Sequence, residues 1–240
     1  PTAIPASCKT QANSLKQNAT TILFRYLPAD SIPNGKYTVL YEGKGTLAYY
    51  GIASKLATES TVGRDVLNLQ NQPVGSLLYN TGLRVYITAT DPTDPIRNIR
   101  IVMPGGICAN NPTIRVEDAN GCAPGQYQSF VDTLAANRNA IVFNPDYLRV
   151  LKDFRTLRMM NFMEASPRKD ACPSTDPAKT TCLLQERTWV QRAKMEDAVW
   201  GGSYLTPALQ RYGVPLEVMV ALANQLNVNP WFTLPHNAND

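Results

Sequence analysis

The sequence predicts an all-β, jelly-roll-like sandwich over residues 1–143, joined to an α/β segment over residues 144–240. Three observations predict it. Short β-type runs separated by Gly, Pro, Asn and Asp recur from about residue 21 to residue 143, with no helical periodicity of useful length. The triplet Asn144-Pro145-Asp146 then supplies an N-cap residue, a first-turn proline and a dipole-favoured acid. Beyond it, apolar, amphipathic and apolar stretches follow in the order strand, helix, strand.

Residues 21–26 make the first β-type run, and Pro33-Asn34-Gly35-Lys36 is a turn. Residues 37–41 and 46–51, on either side of Glu42-Gly43-Lys44-Gly45, read as a hairpin. Further strands are expected at residues 64–69, 83–88 and 96–103, where Ile99, Ile101 and Met103 alternate with Arg100 and Val102. A single sheet of this content would leave one face wet and too little core, so two packed sheets are expected. After a short helix from Asn144, residues 156–163 have strand length without clean alternation, as in a strand buried on both faces. Residues 166–212 form a long polar excursion, longer than a plain connection requires. A helix follows Gly213, with Pro215 inside its first turn. Leu216, Met219, Val220, Ala223 and Leu226 make its apolar face, widened by Val218 and Leu222. Residues 231–234 are a second apolar strand that completes a βαβ unit, with Trp231 expected in the core.

The charge balance narrows the partners. With 23 basic against 19 acidic residues and no long run of either sign, nothing tracks a phosphate backbone, so no nucleic-acid partner is expected. No stretch approaches the roughly 18 apolar residues of a membrane helix, and no membrane span is expected. The chain opens Pro1-Thr2-Ala3, which fits a removed signal peptide or a start inside a longer product. Of five cysteines, four form two short-range couples, Cys108 with Cys122 and Cys172 with Cys182. Each reads as a loop staple in an oxidising, extracytoplasmic compartment, free buried thiols being the alternative. Cys8 is left over. Neither a metal nor a cofactor is expected: no CxxC spacing occurs, and the single histidine, His236, is remote from the cysteines. Asn18-Ala19-Thr20 is a possible glycosylation sequon at Asn18.

Several strings resemble a group of secreted glycoside-hydrolase-like proteins. They are Phe143-Asn144-Pro145-Asp146-Tyr147-Leu148, Leu157-Arg158-Met159-Met160-Asn161-Phe162, Thr188-Trp189-Val190-Gln191-Arg192, Gly213-Val214-Pro215-Leu216-Glu217 and Pro230-Trp231-Phe232-Thr233-Leu234-Pro235-His236. Members of that group carry a β-sandwich ahead of a TIM-type barrel, and many are labelled cellulose-binding or carbohydrate-active. Residues 37–51 and 91–105 look like their sandwich domain, so the resemblance covers most of the chain after the first twenty residues. It implies that the α/β segment is the first βα units of a (β/α)8-type barrel, incomplete here and completed by a further chain or a C-terminal part. It also implies a polysaccharide or glycan as partner. Where the group has Asp-Trp this chain has Asn161-Phe162, and where it has a second Asp this chain has Asn239. An amide hydrogen-bonds a sugar hydroxyl but cannot serve as base or nucleophile.

Glycoside hydrolysis needs two carboxylates flanking the bond. In TIM-barrel glycosidases of the large retaining clan these come from the fourth and seventh strands, beyond the two that this chain reaches. No catalytic residue is therefore assigned. Substrate contacts are expected just past the strand ends, at Glu164, His236, Asn237 and Asp240. The alternative for His236 is a purely structural role. Trp189 and Trp200 either stack on pyranose faces or pin the long loop, and Arg192 shares the Trp189 motif. Arg158 is expected to pair with a buried acid, as a structural bridge or as part of a site. Asp91 and Asp94 make a calcium site or a simple turn. Three functions follow: a carbohydrate-active enzyme, a non-catalytic glycan binder, or a structural component of a cell-surface or extracellular assembly.

Overall fold

The computed structural model describes residues 19–27, 31–70, 82–163, 188–197, 200, 213–234 and 238. Its compact units are Pro1–Asn110 with Arg115–Arg138, and Asn111–Ile114 with Asn139–Asp240. The fold is β-rich, with three α-helices among the described residues.

In the first unit the strands are β1 (Ala19–Leu23), β2 (Gly35–Glu42), β3 (Gly45–Gly51), β4 (Ala53–Lys55), β5 (Arg64–Leu69), β6 (Leu83–Thr90) and β7 (Arg97–Val102). They form two antiparallel sheets, ordered β1-β6-β3 and β4-β5-β2-β7. Period-two alternation turns one face of each sheet toward a shared apolar cluster. Tyr37 and Val39 from β2, Leu47 and Tyr49 from β3, Leu67 and Leu69 from β5, and Leu83 and Val85 from β6 meet there. Each fully buried aliphatic chain contributes about 1.5–3 kcal/mol. Asp65 is the exception on the inner face of β5, only 1% exposed. Its carboxylate accepts the Tyr49 hydroxyl at 2.8 Å and meets the Lys55 ammonium at 2.6 Å. One acid thus ties β3 of one sheet to β4 and β5 of the other.

Burial pushes the Tyr37 hydroxyl up to about 12, against a smaller opposing pull from Arg115. It pushes Tyr49 up as well, reinforced by the bond to Asp65. A phenol whose folded pKa lies above its unfolded value of about 10 stabilises the fold fully below that pH. The contribution disappears as pH rises through the folded value. Urea midpoints are therefore expected to be flat up to about pH 10 and to fall steeply toward pH 12. Tyr37→Phe should flatten part of that slope, and an unchanged slope in the variant would show that Tyr37 is not its source.

The hairpin expected from residues 37–51 does not form. β2 and β3 belong to different sheets, and Gly43-Lys44-Gly45 is the corner between them. Residues 91–95 hold the corner in place: the Lys44 amide donates to the Asp94 carbonyl at 2.8 Å, and the Asp91 amide donates to the Lys44 carbonyl at 2.9 Å. Asp91 and Asp94 are occupied as turn residues. The Asp91 carboxylate accepts the Thr93 amide and hydroxyl at 2.8 and 2.7 Å, and Asp94 pairs with Arg97 at 2.7 Å.

A smaller three-stranded sheet is ordered β10-β8-β9, from β8 (Gly106–Cys108), β9 (Asn111–Val116) and β10 (Tyr127–Ser129). It leads into a short helix, α1 (Phe130–Ala136), that the periodicity did not reveal because only two turns are present. Its sequence signal is local: the Ser129 hydroxyl accepts the Asp132 amide at 3.2 Å. Phe130 packs with Leu40 and Val102 in a second apolar cluster. Val102, assigned to the polar side of its strand by alternation, is therefore buried as well. Cys108 and Cys122 are disulfide-bonded, as their spacing predicts, with Cα atoms 5.5 Å apart. The loop they close contributes about 3 kcal/mol on the chain-entropy model.

In the second unit α2 (Pro145–Leu151) begins where the triplet predicts, with the Asn144 side chain accepting the Asp146 amide at 2.8 Å. The βα elements are shorter than expected. β11 (Thr156–Arg158) and β12 (Asn229–Trp231) form a two-stranded parallel sheet, and α3 (Leu216–Leu226) lies between them in the chain. Asn161 and Phe162, expected within a strand, lie in a turn closed by the Met163 amide donating to the Met159 carbonyl at 2.9 Å. The next contact fixes the approach to α3. Val214 donates to the Phe162 carbonyl at 2.7 Å, and at Gly213 (φ +84°) a Cβ would sit 2.0 Å from that same oxygen. The buried face of α3 is Val218, Met219, Leu222 and Ala223, rotated from the predicted stripe so that Val220 is exposed. Trp231 is not core: it is 57% exposed on a strand that has no partner on its far side among the described residues.

Among the described residues, no helix is long and apolar enough to cross a membrane.

Candidate functional site

The outer face of the β1-β6-β3 sheet carries a concavity of about 360 Å³ lined by Tyr50, Arg84, Tyr86 and Thr88. Alternation along β6 builds it: Leu83 and Val85 are buried in the core, so Arg84, Tyr86 and Thr88 project from the opposite face. Register places the partners. Tyr50 of β3 and Ile22 of β1 flank Arg84 in one row across the sheet, and Ala48 and Thr20 flank Tyr86 in the next. Ala48 is small, and the Tyr50 ring meets the Tyr86 ring edge-to-face at 5.3 Å. Tyr50 remains 57% exposed. A register shift between Thr46 and Leu47 sets Thr88 beside them, its hydroxyl donating to the Thr46 carbonyl at 3.1 Å. The Arg84 Nε is shut off from solvent without a hydrogen-bond partner, and its guanidinium makes no ion pair among the described residues. An aromatic pair beside an unsatisfied planar cation can stack a flat ring and donate to an oxygen on its rim.

Of the residues expected to contact substrate, Trp189, Arg192 and Trp200 are described; Glu164, His236, Asn237 and Asp240 lie outside the described residues, as do Asn18, Asn239 and the Cys172–Cys182 couple. Trp189 and Arg192 are brought together. The Trp189–Gln191 segment is a single 3-10 turn, which sets the Arg192 guanidinium 4.2 Å from the centre of the Trp189 ring. Arg192 Nη2 also reaches Glu217 Oε1 at 3.5 Å, so the pair is fastened to the first turn of α3. Trp189 stays 59% exposed, and Trp200 is partly buried. Arg158, expected to meet a buried acid, instead lies 5.2 Å from the centre of the Trp231 ring, its register partner on β12. Spacing in the sequence marks neither Glu217 nor the grouping of Tyr50 with Arg84 and Tyr86.

Three carboxyl groups among the described residues of the first unit are held in structural contacts. Asn98 and Arg138 hydrogen-bond Glu42, with Arg97 nearby, and together they hold its carboxyl below the usual range. Arg115 does the same to Glu117, and Thr93 to Asp91. A general acid in glycoside hydrolysis needs the opposite displacement. The described residues contain no cluster of three or more His, Cys, Asp or Glu side chains able to hold a metal. No family model, curated protein or solved structure matches the chain, and no family is assigned to it.

Proposed function

We propose that this is an extracytoplasmic, carbohydrate-associated protein, a glycan-binding part of a glycoside-hydrolase-like, polysaccharide-binding or polysaccharide-degrading protein. In this reading the β-rich unit is the jelly-roll-like sandwich and the α/β unit is the start of a TIM-type barrel. The observation that carries it is the Tyr50–Tyr86 pair on the outer sheet face, where two rings and a guanidinium replace the small polar residues of an ordinary wet face. The parallel β11–β12 pair with α3 between the strands supports the barrel. The Cys108–Cys122 bond fits an oxidising compartment.

Affinity electrophoresis of the full chain in gels containing soluble polysaccharides tests the proposal. Retention by at least one polysaccharide is expected, with Tyr86→Ala weakening it about two- to tenfold, the range of a single aromatic stacking contact. Trp189→Ala in the same gels tests the contacts that the resemblance implies in the second unit. Migration unaffected by every polysaccharide would reject the glycan reading and favour a structural role in an extracellular assembly.

A further inference from the structure

Resting on that reading, we infer that the sheet-face groove selects acidic glycans, with Arg84 receiving the carboxylate of a uronic acid residue stacked on Tyr50 or Tyr86. The guanidinium of Arg84 makes no ion pair among the described residues, and its buried Nε has no acceptor there. The groove that Arg84 lines is where an acceptor can approach the rest of its guanidinium. Among the described residues no acid lines the groove, so the guanidinium has no counter-charge from them there. A neutral hydroxyl would satisfy one N–H. A carboxylate accepts from two guanidinium donors together and supplies the missing charge. A hexuronate carries that carboxylate at the rim of a flat ring, so one sugar can lie against a tyrosine and reach the guanidinium beside it on the sheet face. Tyr50 lies directly opposite Arg84 in the same row, and Tyr86 lies two residues along β6 in the next.

Isothermal titration of the full chain with a galacturonate hexamer, its methyl-esterified form and cellohexaose provides the test. The ester keeps the sugar ring, removes the charge and the second acceptor oxygen, and adds only a methyl group. Wild-type protein is expected to bind the acid form at least about tenfold more tightly than the ester, the scale of a charged hydrogen-bonded pair. Arg84→Gln should abolish that preference. Arg84→Lys, which keeps the charge but not the fork, should retain a fraction of it. Lys152→Gln, which removes the same charge from an exposed position in the other unit, should leave it intact. Equal binding of acid and ester by the wild type, a measurement that needs no variant to fold, would overturn acidic selection while leaving glycan binding in place. An unchanged preference in Arg84→Gln would do the same. Failure of all three hexamers to bind would overturn acidic selection, and unaffected migration in every polysaccharide gel would remove the glycan reading itself.

Discussion

Asp65→Ala is expected to lower the unfolding free energy by about 3 kcal/mol, among the largest single-residue losses in the β-rich unit. The carboxylate sits on the inner face of β5, where its neighbours in alternation are Leu67 and Leu69, both fully buried. It survives there because two donors reach it from different strands, Tyr49 at 2.8 Å and Lys55 at 2.6 Å. Removing it strands the Tyr49 hydroxyl in the core and leaves a small cavity. Lys55 is 37% exposed on its side chain and can turn to water, which keeps the loss at the lower end of the range for a broken buried pair. Tyr49→Phe removes one bond and should cost about 1–2 kcal/mol. The double variant should cost less than the sum of the two, because Asp65→Ala has already deprived Tyr49 of its partner. Urea midpoints followed by circular dichroism measure all three. A loss below about 1 kcal/mol for Asp65→Ala would mean that the bridge does not hold the sheets together.

The strands that were legible in the sequence are those whose alternation is uninterrupted. Residues 64–69 are β5 as read, and Ile99 and Ile101 of β7 face the main core as their spacing predicts. What the sequence does not carry is which strand lies beside which. A Gly-rich corner looks the same whether it folds a hairpin or passes the chain to the facing sheet. The choice here is made by contacts of Lys44 with Asp91 and Asp94, nearly fifty residues on. Apolar content misled at the second unit for a related reason. Residues 156–163 are apolar enough for a buried strand, but the ladder ends where the Met159 amide donates to the Trp231 carbonyl, and the chain turns to meet Val214. The groove was hidden by the same limit. Arg84, Tyr86 and Thr88 alternate with core residues and mark a polar face of unusual content, a signal open to inspection. That Tyr50 completes the face follows only from the β3–β6 register.

That corner also yields the second large effect, because it depends on a missing side chain. Gly43 has φ +84°, and a Cβ built there would lie 2.1 Å from the Pro95 carbonyl oxygen, 2.6 Å from its carbon and 2.9 Å from the Asp94 oxygen. All three atoms are backbone, so relief requires moving the 91–97 turn, which Asp91, Thr93 and the Asp94–Arg97 pair hold in place. Gly43→Ala is expected to cost about 3 kcal/mol, from a left-handed backbone penalty of about 1–2 kcal/mol and an overpacking term of similar size. Gly125 separates the two contributions. Its φ is +75°, and a Cβ there meets nothing within 4 Å, so Gly125→Ala should cost only the backbone part, about 1 kcal/mol. Thermal and urea unfolding of the two variants side by side gives the difference directly. Equal losses would assign the whole effect to backbone conformation and deny the close approach between the corner and Pro95. A large excess for Gly43→Ala would show that the passage from one sheet to the other is held by backbone contact, with no space for even a methyl group.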